Sequence, residues 1–125
     1  ICCLMPHDDA MWAPAAAIDS LDNLGTDLYW VNNDRDVEEM VPPINRLSTL
    51  CQEHQKTHHE WLQCWHVKSG NEHRIRAQGK VLIRQNPDAL YVWAWKGQIG
   101  TTESCDRPSM AWDAAAGILR QAKEA

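Results

Sequence analysis

Two stretches of helical periodicity frame this chain and limit its architecture. From Pro43, the residues Ile44, Leu47, Leu50, Cys51 and His54 recur at spacings of three and four. That spacing sets one apolar stripe along a helix of about three turns. Proline is tolerated at the first helical position, so Pro43 fits the start. From Pro108, the residues Ala111, Ala114, Ala115, Ile118, Leu119 and Ala122 form a second stripe. The residues between them read as extended. Strands are expected at 60–67, at 73–85 and at 90–95. Turns are expected at 68–72 and at Asn86-Pro87-Asp88. On the middle strand Ile75, Ala77, Val81 and Ile83 share one parity and Arg74, Arg76 and Arg84 the other, with Gly79 and Lys80 at a bulge. The expected fold is α+β, in the order α-β-β-β-α. Its three-stranded antiparallel sheet carries both helices on one face.

Charge divides the chain at Pro42-Pro43. Residues 1–42 hold nine acids and one base, Arg35, a balance of −8. Residues 43–125 hold eight acids and eleven bases, a balance of +3, with five of the six histidines. This suggests an acidic segment, 1–42, ahead of a domain spanning 43–125. The first segment has a β-α-β character: strands at 1–5 and 27–31, and a helix at 13–24 closed by Gly25. The total of −5 excludes a uniformly basic nucleic-acid binder. No apolar run reaches membrane-spanning length, and the acidic start, with Asp8 and Asp9, is unlike a signal peptide. Five cysteines without framework spacing suit a reducing, intracellular setting. Nucleotide-loop, serine-elbow and zinc-protease motifs are absent.

The order of the second part, with several local words, resembles the double-stranded RNA-binding domain family over about residues 43–121. The words are Asn45-Arg46-Leu47-Ser48-Thr49-Leu50-Cys51-Gln52 in the first helix and Ser69-Gly70-Asn71-Glu72-His73 in the first turn. The glycine-rich stretch from Gly97 to Ser104 follows, and then Ala111-Trp112-Asp113-Ala114-Ala115-Ala116 with Leu119. The resemblance implies a non-catalytic module that binds double-stranded RNA. Asn45, Ser48 and Gln52 would meet one minor groove, Asn71 and His73 the next, and Arg107 with Lys96 the phosphates. It also implies a weakened grip. The family's lysine run is replaced by Asp106-Arg107-Pro108-Ser109-Met110-Ala111-Trp112, and affinity falls with each cation lost. The alternative within the same resemblance is a protein-interaction or dimerisation module, with Trp112 as an anchor.

Two further features point elsewhere. Cys51, His54 and His58 are three and four residues apart, and Cys64 or His66 follows on a strand. The ligand types suit zinc, which makes a small metal-binding α+β enzyme the third reading. The chain also has seven Trp, two Tyr and no Phe. Trp61, Trp65, Trp93 and Trp95 fall on expected strands. They stand either in the core in place of Phe, or on an open sheet face where they stack on a ligand or partner.

Overall fold

The computed structural model describes residues 1–4, 9–94 and 104–125. Its centre is a sheet of four strands, β1 (Cys2–Leu4), β2 (Asn23–Thr26), β3 (Thr57–Gln63) and β4 (Ala89–Trp93), paired in that order. Every pairing is parallel. Four helices connect and follow the strands: α1 (Trp12–Ala16), α2 (Val41–Glu53), α3 (Glu72–Arg84) and α4 (Pro108–Glu124). The three-stranded antiparallel sheet with two helices is therefore replaced by a four-stranded parallel one. A parallel pair needs a crossover between its strands, and here those crossovers carry helices. Residues 1–42 supply β1, α1 and β2 to the same sheet that holds β3 and β4.

The decisive difference lies at residues 73–85, which form α3 instead of a strand. Ile75, Gln78, Gly79 and Leu82 are buried along it, at i, i+3, i+4 and i+7 of a helix. A glutamine and a glycine fill the middle of the stripe, so the apolar pattern reads equally as strand alternation. Gln78 is fully buried, and its amide N–H donates to the Leu28 carbonyl at 2.7 Å, while its Oε1 is buried without a partner. Glu72 in the first turn and Arg84 in the last complement the helix dipole. Gln55 and Asn86, both at positive φ, follow the ends of α2 and α3 and stop them.

The other expectations fare unevenly. The helices from Pro43 and Pro108 form over Val41–Glu53 and Pro108–Glu124. Strands form near 1–5 and 90–95, and the expected 60–67 strand begins earlier, at Thr57. The helix expected at 13–24 stops at Ala16, and Gly25 lies inside β2. The 27–31 segment continues beyond β2 without pairing. The glycine-rich stretch after β4, Lys96 and Trp95 lie outside the described residues.

Side chains alternate across a strand, so the pairing register assigns faces. Leu4, Leu24, Leu62, Leu90 and Val92 share one face. All of them pack in two hydrophobic clusters with the helices: α1 and α2 cover β1 and β2, and α3 and α4 cover β3 and β4. Strands added in sequence, with crossovers of one hand, place every helix on the same side. No described helix is long and apolar enough to cross a membrane.

The α3–α4 contact depends on Gly79. A Cβ there would sit 2.5 Å from two carbons of Ile118. Gly79→Ala should therefore destabilise by about 1–2 kcal/mol, although alanine is the better helix former. Denaturant melts should also show that Gly79→Ala with Ile118→Ala costs less than the two single changes together. A stabilised Gly79→Ala would show that the helices have room at this crossing.

Candidate ligand-binding cleft

The opposite face of the sheet carries Cys3, Gly25, His59, Trp61, Gln63, Tyr91 and Trp93. The chain leaving β2 extends the same alternation: Leu28 turns into the helix-side core, while Asp27 and Tyr29 line the other side. Cys3, Asp27, Tyr29, Trp61, Trp65 and Trp93 enclose a cleft of about 280 Å³. It lies at the carboxyl ends of the parallel strands, the edge where open α/β sheets hold their ligands.

The rings form two groups. Trp61 lies 4.9 Å from Tyr91 at an interplanar angle of 37°, and Trp93 meets Trp61 edge-on at 6.3 Å. Across the cleft, Tyr29 and Trp65 meet edge-on at 5.7 Å. Trp93 is 46% exposed, the most accessible ring of the set. Gln63 fixes the upper rim by accepting from Val31 N at 3.0 Å and donating to the Trp65 carbonyl at 3.1 Å. Gly25 is required beneath the cluster. A Cβ there would collide with the His59 ring and with the His59 carbonyl oxygen, so only glycine fits at this point of β2.

Charge in the cleft is sparse. Burial holds the His59 imidazole down to about 4, with His58 and the N-terminal ammonium pushing the same way. Packing around the Cys3 thiol, and then the neighbouring Asp27 carboxylate, push it up to about 12. Burial also raises the Tyr29 phenol. At neutral pH the site therefore presents neutral groups beside Asp27. The indole N–H groups of Trp61 and Trp65 and both His59 nitrogens are buried without a protein partner. Unanswered polar atoms of this kind concentrate at functional sites.

The residues named from sequence are dispersed. Asn45, Ser48 and Gln52 lie on α2, with Asn45 and Gln52 exposed and Ser48 half-buried. Asn71 and His73 stand at the start of α3, and Arg107 at the start of α4. These two helix starts are tied together, since Asp106 accepts from Ser69 N at 2.9 Å and donates its own N–H to the Val67 carbonyl. Alpha-2 belongs to another part of the molecule, against α1, β2 and β3. Trp112 is half-buried on α4 and packs against the helix-side core.

The zinc candidates part in the same way. Cys51 is buried in the α2 stripe, and burial raises its thiol to about 11. His54 caps the end of α2 in solvent. Cys64 lies beyond β3, where the Cys105 thiol donates to its carbonyl at 3.2 Å. His58 is buried on the helix side and meets Glu60 at 2.7 Å. Among the described residues no three His, Cys, Asp or Glu side chains come close enough to share a metal ion. Sequence reasoning placed Trp61, Trp65 and Trp93 on strands but passed over Cys3, Asp27 and Tyr29. The alternation of Asp27 and Tyr29 against Leu28 was the signal available for two of them.

No protein-family model matches the chain, and neither curated proteins nor solved structures provide a match.

Two buried groups on opposite faces of β3 set an opposed pH response. Burial lifts the Glu60 carboxyl from 4.5 to about 7, against the pull of the His58 hydrogen bond. Folding thus takes up a proton in that window, and this contribution to stability falls as pH rises through it. His59 is lowered from 6.5 to about 4, so its contribution falls as pH drops through that range. Glu60→Gln removes the first response and keeps the second. Its stability relative to wild type should climb between pH 4.5 and 7. Denaturant melts at several pH values measure this, and parallel curves would mean that Glu60 titrates as an ordinary carboxyl.

Proposed function

We propose that the chain is a non-catalytic binding module whose site is the aromatic cleft at the carboxyl edge of its parallel sheet. One observation carries this reading. Four aromatic side chains and one carboxylate converge there from three separate segments of sequence, on the face that no described helix covers. A parallel sheet ordinarily has both faces covered, so a face lined with rings that no described helix covers is a place for an occupant. Pockets that recognise small molecules combine such apolar walls with a few polar groups that fix orientation.

The reading drawn from sequence resemblance, recognition of double-stranded RNA, rests on Asn71, His73 and Arg107 near two helix starts and on α2 elsewhere. The cleft offers a more concentrated set of contacts, which is why the small-ligand reading is preferred.

Tryptophan emission provides the test, because three indoles line the site. Titration with a panel of ring-bearing small molecules should give a saturable change. Trp93→Ala should weaken binding by about tenfold or more, the value of one lost stacking contact. Trp112→Phe, on the other side of the sheet, should bind like wild type. A duplex RNA of about 20 base pairs serves as the counter-arm. Steeply salt-dependent RNA binding unaffected by Trp93→Ala, with no small-molecule response, would overturn the cleft as the site.

A further inference from the structure

We propose that the cleft takes a neutral saccharide, with a pyranose ring laid against Trp61 and Trp93 and its hydroxyls met by Asp27 and the indole N–H groups. This rests on the reading of the cleft as a ligand site and goes further by naming the ligand chemistry.

Three properties of the cleft select that chemistry. The first is shape. Trp61 and Trp93 come from adjacent strands, with Tyr29 and Trp65 facing them from the rim. An aromatic ring presents a negative face, which attracts polarised C–H bonds. One face of a pyranose is a patch of such C–H bonds, and its hydroxyls lie around the edge. A ring ligand of this kind can stack and form hydrogen bonds at once.

The second property is charge. Among the described residues no lysine or arginine lines the cleft, and Asp27 is the one anionic side chain that does. Phosphates and carboxylates lack a partner there and meet a like charge, which weighs against nucleotides and organic acids. The His59 imidazole stays neutral at physiological pH and adds no cation.

The third property separates a saccharide from a cation. Aromatic walls beside a carboxylate also suit a quaternary ammonium group. That group has no acceptor for the buried N–H groups of Trp61 and Trp65. A hydroxyl donates one hydrogen bond and accepts two, so it accepts from the indole donors and still has a proton to give to a carboxylate such as Asp27. The volume, about 280 Å³, suits a mono- or disaccharide better than a nucleotide or peptide.

The experiment is a tryptophan-fluorescence titration of the full chain with three kinds of probe. They are neutral mono- and disaccharides of the gluco, galacto, manno and xylo series, tetramethylammonium, and adenosine 5′-monophosphate. The expected result is saturable binding of at least one saccharide, weakened about tenfold by Trp93→Ala. Asp27→Asn, which keeps an acceptor oxygen, should weaken it only a few-fold. Binding of tetramethylammonium or the nucleotide in a Trp93-dependent manner, with no saccharide bound, would overturn the saccharide while keeping the cleft as a site. No Trp93-dependent change with any probe would overturn both.

Discussion

The parallel ladder through β2 and β3 is the constraint on which the rest of this structure depends. Its strands follow one another in space in their order along the chain. That order sends each crossover helix to the same side, so one face of the sheet is built into a core and the other carries no described helix. The sequence accommodates both roles within a single strand. Beta-3 turns Leu62 into the core and Trp61 to the open side. Beta-4 does the same with Val92 and Trp93. A tryptophan excess that looks surplus to a small core thereby finds a place. Trp12 alone among the described tryptophans is fully buried. Trp61, Trp65 and Trp93 stand around the cleft.

Neighbouring histidines show how far the face decides a side chain's chemistry. His58 and His59 are adjacent, and both are buried. His58 points to the helix side, meets Glu60 at 2.7 Å, and takes a backbone tether from Asp88. His59 points to the open side, has no hydrogen-bond partner, and touches Trp61 and Tyr91 edge-on. Inverting the register of β3 by one residue would bury Trp61 among the helices and put Glu60 in the cleft. That exchange is too costly to occur by slippage, so the cleft's composition is fixed by the same pairing that fixes the core.

How much of this was legible in the sequence depends on whether a pattern is local. The stripes through Ile44, Leu47 and Cys51, and through Ala111, Ala114, Ala115 and Ile118, are local and form where the spacing puts them. Alpha-3 was missed because two members of its stripe, Gln78 and Gly79, are apolar neither by composition nor by habit. Gln78 is buried because Leu28, fifty residues away, supplies an acceptor. Gly79 is buried because Ile118 lies against its Cα. Neither partner can be found from a window of neighbouring residues. The direction of the sheet failed for the same reason. Once residues 73–85 read as a strand, adjacent strands joined by short turns had to run antiparallel. The words behind the resemblance suffer from this too, since an alanine-rich closing helix and a leucine-rich opening one occur in many layered folds.

The division of charge along the chain has a structural answer of its own. Arg74 and Arg84, two of the three arginines assigned from sequence to one strand edge, lie on α3 and turn toward the acidic segment. Arg84 pairs with Glu38 at 2.7 Å, and Arg74 donates to the carbonyls of Arg35 and Trp30. The Arg84 pair is exposed and adds little stability by itself. Its consequence is electrostatic. Two of the cations expected on a strand edge are engaged within the chain, and the −8 and +3 portions meet through them. A binding surface must then come from something other than net charge. The aromatic cleft, where Asp27 is the one charged side chain among the described lining residues, fits that condition, and its recognition should change little with ionic strength.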